Sequence, residues 1–551
     1  MRISKSITCA MTLALGTMNP WLMSESEACG GFFCNNQPVI QTGEQIIFGV
    51  DHDTQTTTAI ININYSGMAP DFAWLLPLQV NPTEIKAGPS QAFVVSNQRT
   101  QSQFRITEVE TKGVCSVDEI AFRSGAEDSA TTQASPNSED PGGVNVLQQS
   151  QVGPYDSVVL QGSDPEKVFD WLIENGYRLT DEMKEPVIPY VAKGDVLLAL
   201  KLSKDQDAGD IQPIELVLEN TEENATEAPE ACIPLRLTAI AAQADMDVTA
   251  VVLSNSGRAI PVNYNHVEIN KAKIDWMRGG SNYRQIVSEA ADEGSGNAFT
   301  TEYAGAASVF DDALYQDGQY DVQRLRSQTD LGLFLQELQS QGLRFRPELR
   351  AIMTRHYPEV VNCRGCPAFQ FEGTMIDPND AVDEIEERII DPEIRVQKMF
   401  DSFKYATRLY TLISPEEMTI DPILDFDSSL PEVSNIHEAK MIQYCGVGGS
   451  PGSAGVEIVL TDGTVISFDS NGNRDRTILD SMPSALRVEQ LAEGTLIQDN
   501  STNIRDILDE HNVVNGLAGC GCESSTTNSS AAGSLAIVAL LGLTLIRRKR
   551  R

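Results

Sequence analysis

The sequence predicts an α+β protein. It has an N-terminal antiparallel β-rich part, a helical central part and a small C-terminal β-hairpin region, followed by a single C-terminal transmembrane helix. Three observations carry this reading. Alternating or β-branched runs recur between residues 45 and 253 with few helical stretches between them, which favours antiparallel connections. Helical periodicity dominates from 283 to 413. A hairpin pattern then surrounds Asp462-Gly463 at 456–468. The chain has 551 residues, 41% hydrophobic and 22% charged, so collagen-like, coiled-coil and wholly disordered classes are excluded. Its formal net charge of -37 opposes contact with phosphate backbones and excludes nucleic acid as a partner class.

The elements follow in order. Gln45–Val50 and Thr56–Tyr65 read as a half-buried hairpin, with Ala59, Ile61, Ile63 and Tyr65 on one side. Phe72–Pro77 is a buried strand ending at a proline. Residues 124–145 hold almost no large apolar side chain and form a loop. Val144–Leu147 and Tyr155–Leu160 resume the strands, and Ser163-Asp164-Pro165-Glu166 starts a helix that stops near Gly176. Strands are expected at 195–202, 211–218, 234–241 and 247–253. Helices are expected over Tyr283–Glu293, Asp330–Gln341, Arg346–Tyr357, Ala381–Ile390 and Ile394–Ile413, with a turn at Ser414–Glu417. Gly446–Gly455 is a Gly/Ser linker ahead of the hairpin.

Both ends read as addresses. Arg2 and Lys5 precede an apolar run, and Ser26-Glu27-Ala28 permits signal cleavage between Ala28 and Cys29. Glu27 argues against a lipoprotein signal at Cys29. At the other end, Cys520-Gly521-Cys522 and a polar spacer lead to apolar residues 531–546 and then Arg547–Arg551. Sixteen helical residues span ~24 Å, a short crossing, and the terminal cations hold the body outside. The resulting organisation is a signal peptide at 1–28, an α+β domain at 29–270, a mostly helical region at 271–440, a small β-containing region at 446–515 and a sorting tail at 516–551.

Several stretches carry a family resemblance. They are Ala28-Cys29-Gly30-Gly31-Phe32-Phe33-Cys34, Asp71–Pro77, Val152-Gly153-Pro154-Tyr155-Asp156, Pro234–Ile240, and Leu409-Tyr410-Thr411 with Ser414–Met418. Together they resemble the bacterial domain-of-unknown-function 2330 family over about residues 28–440. The tail resembles a myxobacterial MYXO-CTERM sorting signal. The resemblance implies an extracytoplasmic domain anchored in the cell envelope and a tail-processing protease as partner, with Cys520 and Cys522 at the sorting site. It implies no activity.

Cys29–Cys34 and Cys363–Cys366 are spaced to close small disulfide rings in an oxidising exterior, Cys115–Cys232 would be a long-range staple, and Cys445 is left odd. Cys363-Arg364-Gly365-Cys366 lacks the strand-then-helix setting of a redox motif, so a structural pair is favoured. Asp469, Asn471, Asn473, Asp475 and Asp480 resemble an oxygen-ligand calcium loop, but Arg474 occupies the sixth position and the bland reading is a polar turn. Calcium is thus the one cofactor with any sequence support. The five histidines, His52, His266, His356, His437 and His511, form no zinc motif. The sequence therefore reads as an exported, envelope-anchored surface structural or binding module for an unspecified protein or glycan ligand. The alternative is a hydrolase-like extracytoplasmic enzyme whose site is assembled from distant residues.

Overall fold

The computed structural model describes residues 40–66, 73–113, 145–177, 181–202, 211–220, 229–343, 346–363, 365–447, 449–469 and 476–515. The N-terminal strands are β1 (Ile40–Asp51), β2 (Thr56–Ser66), β3 (Ala73–Leu78), β4 (Glu84–Ala87), β5 (Gln103–Lys112), β6 (Asn145–Val152) and β7 (Tyr155–Gln161). Then come β8 (Val196–Leu202), β9 (Ile214–Glu219), β10 (Ala231–Cys232), β11 (Ala242–Ser254), β12 (Arg258–Pro261), β13 (Asn265–Ile269) and β14 (Ala298–Ala306). The last are β15 (Tyr405–Ile413), β16 (Ile423–Asp427), β17 (Ile436–Tyr444), β18 (Gly455–Leu460), β19 (Val465–Phe468), β20 (Ala485–Gln490) and β21 (Thr495–Asp499).

Ten strands build one sheet in the order β21-β20-β13-β14-β15-β11-β1-β2-β9-β4. Most pairs are antiparallel, while β1 with β11, β13 with β14, and β5 with β17 run parallel. Smaller sheets are β3-β8-β7-β6, β19-β18-β17-β5 and β10-β16-β12. The fold is α+β, as the sequence predicts.

The first hairpin forms, with Ile46 opposite Ile61 and Ile47 opposite Ile60. It is more buried than its alternation suggests. Ile46 and Ile61 pack with Leu198 and Leu216 on one face, and Ile47 and Ile60 pack with Phe93, Phe310 and Phe400 on the other. The sheet is covered on both sides here because the Ser90–Thr100 and Asp391–Ser402 helices lie across the second face. The helix Pro165–Glu174 begins after Asp164, whose carboxylate accepts from the Glu166 N–H, and Pro165 takes the first turn where no N–H is needed.

Two elements differ from expectation. Residues 234–241 form a short helix, Leu235–Thr238, rather than a strand. The Arg236 N–H is taken by the Asp421 carboxylate at 2.9 Å, so no ladder partner is needed there. The helix expected over Ile394–Ile413 ends at Ser402, and the second half is β15. That segment pairs on both sides, with β11 and β14, and its Thr-rich, aromatic composition suits a central strand. The central part is consequently less helical than its periodicity implies, since β14, β15, β16 and β17 all come from it. The helix Asp181–Lys193, which contains Pro186 and Pro189, was not anticipated. Beyond 446, β18 extends β17, and β20 joins β13 in the large sheet. Gly463 adopts φ +88° in the predicted turn between β18 and β19.

No helix among the described residues is long and apolar enough to cross a membrane. The expected signal peptide at 1–28 and transmembrane helix at 531–546 lie outside the described residues, as do Cys29, Cys34, Cys115, Cys520 and Cys522.

Candidate functional site

Where β13 and β14 meet the sheet containing β5 and β17, a cavity of about 290 Å³ opens. Its apolar wall includes Phe104, Val267, Ile269, Leu430, Val433 and Leu491. Its polar wall includes Arg258, His266, Thr301, Lys271, His437 and Glu489. Local structure explains how these groups meet. The register of β14 against β15 slips between Thr301 and Tyr303, a bulge of the kind that re-aims side chains beside sites. Arg258 begins β12 in a different sheet from His266 and Thr301, so its long side chain bridges two sheets. Phe104 approaches Gly280 at φ +78°, where a Cβ would collide with the ring.

The polar groups form a directed chain. Arg258 Nη2 donates to Thr301 Oγ1 at 2.8 Å. Thr301 Oγ1 also lies 3.1 Å from His266 Nε2. Nε2 also faces Arg258 Nη2 at 3.4 Å, so it is the acceptor nitrogen and the ring proton sits on Nδ1. Nδ1 points toward Glu489 Oε2 at 3.8 Å, an ion-pair distance beyond hydrogen-bond reach. Burial pulls the His266 pKa below 6.5, the Arg258 charge adds to that, and Glu489 opposes it. His437 stacks on Phe104 with centroids 4.9 Å apart, and burial with the nearby Lys271 charge lowers its pKa to about 4. Both imidazoles are therefore neutral at pH 7, and the positive charge at the cavity belongs to Arg258 and Lys271.

A second buried pair braces the wall. Arg408 and Glu302 form an ion pair with both side chains almost wholly enclosed. Glu302 also accepts from the Ser102 N–H at 3.3 Å, and Arg408 donates to Asn97 Oδ1 at 2.7 Å. Tyr283 lies beside Ser102, its phenol pushed well above 10 by burial and by Glu302.

The residues singled out by sequence lie elsewhere. Cys363 and Cys366 are disulfide-bonded with Cα atoms 5.5 Å apart, at the end of a short helix away from the cavity. Cys232 departs from expectation: it is a free thiol, and burial followed by the Asp421 charge pushes its pKa far up. Cys445, expected to be odd, is disulfide-bonded. The reason is position. Cys445 donates its N–H to Lys112 O at the end of β5, while Cys232 ends β10, the edge strand of the β10-β16-β12 sheet. Of the calcium-loop candidates, Asn471, Asn473 and Asp475 lie outside the described residues. Asp480 ends a short helix and faces Arg476 at 3.6 Å, largely exposed. Among the described residues no group of three or more His, Cys, Asp or Glu is arranged to hold a metal. Arg258, Thr301 and Glu489 were missed by sequence reasoning, and His266 was noted only as one histidine of five.

A family model described as an uncharacterized protein conserved in bacteria (DUF2330) matches residues 24–313. The match includes Arg258, His266 and Thr301 and stops short of His437 and Glu489, and it ends before the 440 suggested by the sequence motifs. No curated protein matches the chain, and no solved structure does. With more than half of its length matched, this chain belongs to the DUF2330 family of bacterial proteins.

Proposed function

We propose that the chain is an exported, envelope-anchored binding module whose ligand site is the cavity between β5, β13, β14 and β17. The observation that carries the site is the cavity itself. It is concave, largely apolar and furnished with one convergent polar chain, Arg258–Thr301–His266, which is how small-molecule sites are built. Export is supported by the basic-apolar-small pattern of residues 2–28 and by the oxidised Cys363–Cys366 pair, which suits an oxidising compartment. Anchoring is supported by the apolar run at 531–546 and the cations at 547–551. The test is a small-fragment screen by ligand-observed NMR on wild type and on Leu430→Trp, a half-buried rim position in a loop. Fragments that bind wild type and are lost with Leu430→Trp support the cavity. Fragment binding that survives the substitution refutes it.

A second reading, a hydrolase, is favoured by one observation: Thr301, His266 and Glu489 stand in the order hydroxyl, imidazole, carboxylate. Two facts weigh against it. The Glu489 contact is too long to hold the ring, and Arg258 already donates to the hydroxyl that would attack. Turnover of p-nitrophenyl acetate that disappears in Thr301→Val would favour the hydrolase.

A further inference from the structure

Arg258 is only 5% exposed, and it lacks what the other buried cations have. Lys273 reaches Glu289 at 2.7 Å, Arg388 reaches Glu384 at 2.8 Å, and Arg408 is paired with Glu302. Arg258 bonds only to neutral acceptors, Thr301 Oγ1, His266 Nε2 and Pro431 O, with no carboxylate within ion-pair distance among the described residues. Its Nε–H is buried without an acceptor. Glu489 and Asp427 attract Arg258 only from beyond ion-pair distance; an enclosed guanidinium without a close counter-charge is costly, and a cavity borders this one. We infer that the close counter-charge Arg258 lacks is the ligand's, and that the cavity takes a small monocarboxylate with a compact apolar body.

This inference rests on the cavity being the binding site, and goes further by naming the chemistry. A planar carboxylate matches the fork of a guanidinium and would satisfy its free N–H. A single negative charge is the better fit. The lining also carries Glu268 and Glu489, which repel a doubly charged phosphate. Phe104, Val267, Ile269, Leu430, Val433 and Leu491 give the rest of the ligand an apolar bed. The neutral His266 can be displaced from Arg258 without leaving a charge exposed, since Thr301 still bonds to it. The site thus offers one strong polar contact and several apolar ones, enough to separate an acid from its amide.

Isothermal titration of the full chain tests this with benzoate, 4-methylpentanoate, benzamide and inorganic phosphate. The expected result is that a carboxylate probe binds with Kd below about 1 mM, and that benzamide binds at least about tenfold more weakly. Arg258→Gln should weaken the acid at least about tenfold, and Arg258→Lys should weaken it less. The benzoate and benzamide comparison uses wild type alone, so it stands even if the Gln variant fails to fold. Equal binding of benzamide and benzoate, both lost with Leu430→Trp, overturns the carboxylate inference while leaving the cavity as the site. Phosphate binding as tightly as benzoate overturns the monocarboxylate. Binding of every probe unchanged by Leu430→Trp refutes the cavity reading itself. No binding by either acid overturns the inference, and the fragment screen then decides the cavity separately.

Discussion

Replacing Glu44 with Gln should stabilise the protein at neutral pH and remove a specific part of its pH dependence. Glu44 sits on β1, 1% exposed, beside Trp74 and Leu75. Its Oε2 accepts from Thr238 Oγ1 at 3.0 Å and from Gln41 Nε2 at 3.2 Å. Those bonds favour the carboxylate, but burial outweighs them and pushes the pKa from 4.5 to about 7. A rise of that size corresponds to about 3 kcal/mol between the two protonation states. The direction follows from linkage. The folded chain holds the proton more tightly than the unfolded one. The stability this confers is therefore complete below about pH 4.5, declines as pH rises, and is gone above about pH 7. Gln mimics the protonated acid and does not titrate. Guanidinium unfolding of wild type and Glu44→Gln between pH 4.5 and 8 should show the variant gaining on wild type by about 3 kcal/mol across that range. A difference that stays flat with pH, or that moves the other way, would show that burial does not raise the Glu44 pKa.

Other expectations follow from the same structure. Glu302→Gln should cost about 3–5 kcal/mol in denaturant unfolding, because it strands the enclosed Arg408, while Glu302→Leu with Arg408→Leu should cost less. Gly280→Ala should destabilise by roughly 1–3 kcal/mol and weaken cavity ligands, since it forces a positive φ onto Ala and drives its Cβ into Phe104; unchanged melting and binding would contradict this. Non-reducing peptide mapping should show Cys363 joined to Cys366, Cys445 in a disulfide and Cys232 reduced; a disulfide at Cys232 would contradict this. In the native protein Cys232 should react slowly with maleimide, because burial and the Asp421 charge suppress its thiolate; rapid labelling without unfolding would refute the raised pKa.

The fold was legible where local pattern and tertiary setting agree. Tyr283–Glu293 matches its periodicity end to end, and the β18–β19 hairpin matches its turn residues. It was illegible where they conflict. Helical spacing of Met399, Phe400, Phe403, Ala406 and Tyr410 continues past Ser402, yet the chain turns at Phe403 because β11 and β14 leave a gap that β15 fills. Nothing local in residues 405–413 announces those partners. The candidate site was almost invisible for the same reason. Arg258, His266, Thr301 and Glu489 come from four different strands and acquire meaning only when β12, β13, β14 and β20 converge. The cysteines show the limit of spacing arguments. The short Cys363–Cys366 interval could be read directly, whereas nothing in the spacing told that Cys232 is the free thiol and Cys445 an oxidised one.

If the proposal holds, an anionic ligand completes Arg258 inside the cavity. A crystal structure of the chain grown with benzoate tests it most directly. Density for the carboxylate is expected within about 2.7–2.9 Å of an Arg258 guanidinium nitrogen, with the ring against Phe104. Benzoate bound elsewhere on the protein, or a cavity holding only water beside an unchanged Arg258 while calorimetry reports saturation, would contradict it.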